Sequence, residues 1–585
     1  MNLNSSTLLD TGLTQDPGCV PLVIGVAGHR DPKPEHLPVL KERCKQILID
    51  IFNHLPNTPI LMINGLAAGM DSVAAEIFIE LINEQKSKFS NCPRHMMVGA
   101  LPKPRNLYLA EDFPDNGDED NRLTRMRTVK LLNQCDAVLD PDNCDELKKF
   151  QHIQTSQGNS SDSACYGRQG LFLVRNCYLL IAFSNGKDSG KIGGTSQTVS
   201  LQRGQLSPLF LDIEEVMADR NPGIVVEIFT PRLSDHRENR PVGHARFWSE
   251  YSENDNNLGT NQRSLEKASL DDLLRHPEYP STLNSINLAL RHYPPVDSYG
   301  EGLQSSLWRY ADSKANEHKQ KYIRWCRLLM FTSVLLALGL SQPEWQSIGL
   351  LIVLTAIIVF PRLQEGPKLE FIQWRCLAES IKVTDHWAAL QIQTDAANLF
   401  HSQTNKKFSR IRTIVRSRRL QLMSQQTNPS LKPPFPECIE RTQIWISGQL
   451  KWLTNTISKQ YSWDRVLLTI SITSFILTLT LSFGGRIGLI SIHEIWTESG
   501  MAITAAFFGY RELLGYSDTN ARYARSKIHF QRAKDALKLI KEKTEDPGTI
   551  NHRMRLVVEA IGHEKIDELN DWVGDQLQRV YSPGG

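Results

Sequence analysis

Residues Ile63–Asp71, reading Ile-Asn-Gly-Leu-Ala-Ala-Gly-Met-Asp, combine a glycine-punctuated turn with a carboxylate. The apolar run Pro59–Ile63 precedes them, and Ala74, Ile77, Phe78 and Leu81 follow at the spacing of one helix face. A strand, such a turn and then a helix present backbone amides at a helix N-terminus, where a phosphate can be seated. Gly65 and Gly69 lack a Cβ, so the backbone there can approach a ligand closely and adopt positive φ. Leu66 and Ala67 lie between them, and Asp71 stands where an N-cap is expected. The plain alternative is tight strand–helix packing with no ligand.

Two more turns of this kind occur. Gly25–Asp31 follows the apolar run Leu22–Ile24, and the helix after it shows Leu40, Cys44, Ile47, Leu48, Ile51 and Leu55 on one side. Gly28 opens the turn, and His29 and Arg30 at its rim form a cation pair suited to a phosphate, or else solvated polar side chains. Gly193, Gly194 and Thr195 follow the apolar strand Leu179–Phe183 across a loop that carries Lys187 and Lys191.

In this order, Gly-x-x-Gly-His-Arg, Gly-Leu-Ala-x-Gly-x-Asp and a strand–loop–Gly-Gly-Thr resemble the SLOG superfamily. That group includes the DNA-processing protein DprA, LOG-type hydrolases and nucleotide-sensing domains of bacterial defence effectors. Leu101–Tyr108 with Glu111–Phe113 looks like the defence-associated branch. The resemblance implies a Rossmann-like α/β domain over residues 21–240, with its ligand outside the carboxyl ends of the strands. The implied ligand is nucleotide-derived, either a cyclic oligonucleotide or an ADP-ribose derivative. Its contacts would be Gly28, His29, Arg30, Gly65, Leu66, Ala67, Gly69, Asp71, Lys187, Gly193, Gly194 and Thr195. LOG-type hydrolases carry a glutamate just after their glycine turn, whereas Ser196–Ser200 here holds no carboxylate. Binding without catalysis is therefore expected, and no catalytic residue is assigned. Asp71, Glu111 and Asp112 are the carboxylates that would substitute, and nothing in the spacing selects one.

The chain has 585 residues and a net charge of +2, which argues against a nucleic-acid binder and for several folded units. Its ten cysteines form no Cys-x-x-Cys pair, so a reducing compartment and no metal site are expected. Residues 1–20 read as a disordered lead and not as a signal peptide. Leu328–Pro343, Trp345–Pro361, Val466–Gly485 and Ser499–Tyr510 are apolar runs free of charge. Lys and Arg cluster outside the two pairs and are almost absent between the members of each, the positive-inside pattern for four spans with both termini cytoplasmic. Two buried hairpins in a soluble helical domain are the alternative. The helices after the hairpins match at Ile372, Trp374, Leu377, Glu379, Ile381 and Lys382 against Ile528, Phe530, Ala533, Asp535, Leu537 and Lys538, which suggests a repeat.

A two-span hairpin with a tail reading Ile561-Gly-His-Glu, then Glu568 and Trp572, resembles the SLATT membrane module. Together the resemblances imply an all-α membrane module with two transmembrane hairpins behind the α/β domain. They imply a homo-oligomeric, pore-forming effector in a bacterial inner membrane, gated by a nucleotide second messenger in antiphage defence. A cyclase or TIR-type enzyme would supply the signal, and the lipid bilayer would be the second partner. A membrane-tethered LOG-type hydrolase is the alternative. The expected layout is a connector over 241–310, with Leu273, Leu274 and Leu283 on a helix, then hairpin modules over 311–430 and 431–585. The basic run Lys406–Arg419 is expected at anionic lipid or as a solvated helix face.

Overall fold

A computed structural model describes residues 18–88, 94–115, 117–148, 161–188, 190–205, 223–236, 240–248, 270, 274, 278–292, 305–340, 346–400, 406–426, 434–487, 494–543 and 546–581. The chain divides into two units. One comprises Met1–Ser298, Ser305–Leu307 and Gln391–Pro434, and the other comprises Tyr299–Gln304, Trp308–Leu390 and Phe435–Gly585.

The first unit is built on strands that, apart from the edge strand Ala245–Trp248 (Ala-Arg-Phe-Trp), are mostly apolar at successive positions, the pattern of strands covered on both faces. They form β1 (Leu22–Gly28), β2 (Ile60–Asn64), β3 (Met96–Ala100), β4 (Ala137–Leu139), β5 (Leu179–Ser184), β6 (Ile224–Phe229) and β7 (Ala245–Trp248). The sheet order is β4-β3-β2-β1-β5-β6-β7, parallel except for β7, which runs antiparallel to β6. β1 sits between β2 and β5, with Val26 opposite both Asn64 and Ile181. The chain steps outward from β1 through β2, β3 and β4 and then crosses back to lay β5 on the other side of β1, and at such a switch point the carboxyl ends of the strands open a crevice.

Helices α1 (Leu37–His54) and α2 (Met70–Lys88) bury the apolar faces expected of them. β1 runs on through Gly28, so Gly25 lies within the strand and not in a turn. A Cβ on Gly25 would meet Leu173 Cδ2 at 2.9 Å. Leu173 belongs to α6 (Ser161–Asn176).

This unit extends past residue 240. β7 and the helix Glu278–Arg291 belong to it, and within that helix Asn287 bonds both backbone groups of Val20, at 2.9 Å each. Leu274 and Leu283 are buried, whereas Leu273 lies outside the described residues. The basic helix Lys406–Gln426 also belongs to it, which corrects the expectation of a lipid-facing or solvated run. Its apolar positions Ile411, Ile414, Val415 and Leu420 are buried, and Leu420 joins the core with Phe172 and Leu173. Arg419, 4% exposed, lies 2.6 Å from Glu146, which is 11% exposed. Burial alone would raise the Glu146 carboxyl, but Arg419 and Arg175 outweigh it and hold it below its usual range.

The second unit is helical: Ser306–Leu340, Gln346–Ala389, Phe435–Arg486, Glu494–Leu514, Tyr516–Lys541 and Pro547–Tyr581. Trp387 is buried and donates to Val558 O at 3.1 Å. Gly562 makes room for its indole, since a Cβ there would stand 2.4 Å from three ring atoms. Arg375 pairs with Asp312 at 2.8 Å, and Lys565 with Glu568 at 2.7 Å. The repeat suggested by sequence is mirrored in packing only in part: Leu377 and Ile381 are buried, as are their counterparts Ala533 and Leu537. Ile372 and Glu379 are buried, whereas their counterparts Ile528 and Asp535 are exposed.

Among the described residues, one helix is long and apolar enough to cross a membrane. It is Phe435–Arg486, 52 residues with an 18-residue window of mean hydropathy 2.1, of which 17% is buried. The side chains of residues 336–365, which carry most of the first expected hairpin, lie outside the described residues. Glu494–Leu514 packs beside the apolar half of the long helix, where Ser474 donates to Gly500 O at 3.2 Å. Arg511 pairs with Asp464 through contacts of 2.7 and 3.1 Å at the foot of the pair.

Two stability outcomes are expected, each read by thermal denaturation of the detergent-solubilised chain. Gly562→Ala pushes a methyl into a rigid ring and costs about 1–3 kcal/mol. Arg419→Met alone strands a buried carboxylate and costs about 3–5 kcal/mol, and adding Glu146→Leu recovers most of it. Additive losses in the double variant would refute the buried pair.

Candidate functional site

The three glycine turns converge on one cavity of about 370 Å³ at the carboxyl ends of β1 and β2. Of the twelve candidate contacts, Gly28, Arg30, Gly65, Ala67, Asp71, Gly193, Gly194 and Thr195 line it, and Lys191 joins them. His29, Leu66, Gly69 and Lys187 are not among the lining residues.

Each of those four has a structural task. The Asn185 amide donates to His29 Nε2 at 2.9 Å, and burial lowers the pKa of this ring. Lys187 reaches 2.6 Å from Asp235 and ties down its own loop. Leu66 is buried with φ of 54°, and its amide donates to Asn64 Oδ1 at 2.7 Å. Gly69, at φ of 88°, lies where a Cβ would meet the carbonyl oxygens of His29 and Arg30 at 2.5 Å.

Helix α2 begins at Met70, so Asp71 stands in its first turn and not at the cap. The amides of Met70, Ser72 and Val73 already donate to His29 O, Ala67 O and Gly69 O. This helix start is therefore not the open phosphate seat that the sequence suggests. It presents the Asp71 carboxyl instead. Burial pushes Asp71 from 3.8 up to about 7, against the opposing pull of Arg30 and of the Gly28 and Ala67 amides. Its Oδ1 is buried and lacks a partner in hydrogen-bonding geometry. Asn64, fully buried, fixes the turn by donating to Asp71 O at 2.8 Å.

The opposite wall is α6, which was not foreseen. Tyr166, Gln169, Gly170 and Leu173 stand at helical spacing and face the cavity. That spacing is the sequence signal that could have revealed it. Gln169 donates to Ala100 O at 2.5 Å. The Arg30 guanidinium lies 4.8 Å from the centre of the Tyr166 ring and 3.4 Å from Asp112 Oδ1. Tyr166 donates its hydroxyl to that same oxygen, and burial together with Asp112 pushes its pKa up to about 12. Lys103, buried, reaches Glu111 at 2.6 Å and Asp112 at 3.5 Å. Of the three carboxylates open in sequence, Glu111 and Asp112 are thus engaged with cations, and Asp71 lines the cavity.

The third wall is the start of α7 (Thr195–Gln202). Gly194 caps it with no side-chain cap bond, and Gly193, at φ of 78°, lies where a Cβ would meet Tyr166 Cβ at 2.4 Å. With Arg30 and Lys191 nearby, this end suits an anion. Asp71, whose protonation is balanced near neutrality, suits a hydrogen-bonding group of the same ligand. Among the described residues no cluster of three His, Cys, Asp or Glu is placed to hold a metal ion.

Comparison of the chain with models of known protein families gives no match, and comparison with curated proteins gives none either.

The raised Asp71 pKa has a definite stability signature. Between about pH 4 and 7 the folded chain keeps a proton that the unfolded chain has lost, so stability falls as pH rises through this window. The full loss, about 4 kcal/mol for a shift of this size, is reached above pH 7. Asp71→Asn is expected to remove that slope. Melting temperatures of both chains between pH 4.5 and 7.5 decide it, and parallel curves would refute the assignment.

Proposed function

We propose that the first unit binds a nucleotide-derived ligand and that binding controls the helical unit at a lipid bilayer. The carrying observation is the convergence of three separate glycine turns on one cavity whose lining holds the cations Arg30 and Lys191 and the buried carboxyl of Asp71. A ligand with one anionic group and a donor-rich remainder, such as a nucleotide's phosphate with its ribose and base, complements such a lining. The SLOG and SLATT resemblances support the same reading: a sensor coupled to a membrane effector, assembled from several copies and signalled by a cyclase or TIR-type enzyme.

The membrane part is supported by the long helix Phe435–Arg486. Ile472, Phe475, Ile476, Leu477, Leu479 and Phe483 on it are all exposed, as is Trp496 on the paired helix. Apolar surface of this extent needs cover, and lipid supplies it. Trp463 and Tyr461 lie just before the apolar stretch, and Arg465 and Arg511 stand at its foot, as residues at a membrane interface do. Passage of the first hairpin through the bilayer, four spans in all, belongs to this proposal. For the ligand to act, it must bind the active arrangement more tightly than the resting one.

A second reading has its own observation. A carboxyl poised near pH 7 inside a nucleotide-sized cavity has the property a general acid needs. Asp71 would then protonate a leaving base during N-glycosidic hydrolysis.

The deciding experiment incubates the purified full chain with cyclic di- and trinucleotides and with linear and cyclised ADP-ribose, then identifies retained compounds by mass spectrometry. Retention of one compound intact, followed by dye release from vesicles carrying the protein, supports the sensor. Catalytic release of free base, lost in Asp71→Asn, makes the enzyme the better reading. Arg30→Ala is expected to weaken retention about 10- to 100-fold, as loss of a charge-assisted contact does. Unchanged retention would remove Arg30 from the site.

A further inference from the structure

Asp71 lines the cavity at 8% exposure, with its Oδ1 buried and without a partner in hydrogen-bonding geometry. Its carboxyl is set between two glycines of the lining. A Cβ on Gly28 would stand 3.3 Å from Oδ1, and one on Gly65 would stand 3.4 Å from Oδ2. The sheet unit therefore keeps the space around an uncompensated acid clear of other side chains.

The groups that bear on this acid come from several elements. Arg30, in the turn after β1, pulls it toward the charged form, and the Gly28 and Ala67 amides assist. Arg30 is itself held by Asp112, which Lys103 shares. His29 beside it accepts from the Asn185 amide, and burial lowers the pKa of its ring. Tyr108, in the helix Arg105–Glu111, donates to Gly65 O at 3.2 Å, and burial pushes its hydroxyl well above the usual range. From α6, Gln169 and Tyr166 line the cavity, the latter pushed up to about 12, and Lys191 lines it ahead of α7. Asp71, pushed up to about 7, changes charge near neutrality.

An anion entering this cavity acts on Asp71 twice. It repels a carboxylate, and it offsets the Arg30 charge that favours the carboxylate. Both effects drive a proton from solvent onto the acid. Charges that meet in a partly dry site interact strongly enough to move such an equilibrium by about one pH unit.

We propose that the cavity takes up its anionic ligand together with one proton, which lodges on Asp71 and makes this residue a determinant of specificity. As a neutral acid Asp71 gives one hydrogen bond and accepts another, whereas a carboxylate only accepts. The ligand class is then an anion whose remainder offers a donor and an acceptor together, as a hydroxyl or a nucleobase edge does. The proposal rests on the nucleotide reading of the cavity and adds the protonation state in which the ligand is held. Below about pH 7 Asp71 carries its proton with or without ligand, so affinity is flat there. Above it the empty site is a carboxylate and the ligand must bring a proton with it, so affinity falls as pH rises.

Titration calorimetry of the purified full chain in detergent tests this, with adenosine 3′,5′-cyclic monophosphate as the probe. This phosphodiester keeps a single charge between about pH 6 and 9 and adds no titration of its own. Paired runs in buffers of different ionisation enthalpy count the protons bound. For a one-unit rise at Asp71, the native chain takes up about half a proton at about pH 7.5 and loses about 10-fold in affinity from about pH 6 to 9. Asp71→Asn keeps a donor and an acceptor but has no proton to exchange, and is expected to bind with no uptake and no pH dependence. Native binding without proton uptake overturns the proposal, and so does uptake of equal size in Asp71→Asn. Absence of binding across the whole pH range overturns the nucleotide reading itself and the proposal with it, an outcome distinct from binding without a proton.

Discussion

The carbonyl oxygens of His29 and Arg30 come so close to Gly69 that a Cβ at that position would stand 2.5 Å from each. The end of β1 is thereby locked against the start of α2, with Met70 donating to His29 O at 3.1 Å. Gly28 answers from the other side, since a Cβ there would meet Met70 Cβ at 2.6 Å. With the helix held at this distance, Asp71 has nowhere to go but the crevice between β1 and β2. Gly193 against Tyr166 places α7 on α6 by the same device. The glycines therefore serve close packing first, and the cavity is what their packing leaves open. Packing and ligand binding are not rival explanations of these turns, because the second depends on the first.

Charge in the crevice is arranged with equal economy. Arg30 already has an anion in Asp112 and a ring in Tyr166, so any anion that took it over would replace one partner by another. Lys103 keeps Asp112 compensated whichever partner Arg30 takes. At Asp71 the pull of Arg30 is outweighed by burial. Its burial cost is met by holding a proton, which makes it a donor at low pH and an acceptor once a ligand group offers a hydrogen.

Much of the sheet was legible because its strands are uninterrupted apolar runs, and α1 and α2 because their apolar residues recur at helical spacing. Eight of the twelve candidate contacts lie on the cavity for the same local reason: turn, strand and helix are all coded within a few residues of one another. The failures are non-local. Lys187 reads as a phosphate ligand until Asp235, far along the chain, is seen to take it. The basic run 406–419 reads as solvated because its partners Glu146 and Asp395 lie outside the window that shows its charges. Helix α6 hides behind polar residues at its start, although Tyr166, Gln169 and Leu173 keep helical spacing. The apolar stretches after residue 465 are plain in sequence, but Asp464 and Arg511, which join their feet, are not adjacent in any local pattern.

The placement of Gln391–Pro434 changes what counts as a domain in this chain. Without Leu420 the core around β4 and α6 is missing a buried side chain, and without Arg419 the Glu146 carboxylate is buried alone. The sheet unit therefore cannot reach its final packing until the chain has also produced the helices that precede residue 391. Closing over that long intervening stretch adds little entropic cost, because the penalty grows only with the logarithm of loop length. What it adds is obligation: the chain enters the sheet unit again after Leu390 and leaves it again after Pro434, two crossings beyond the one that a simple tandem arrangement requires.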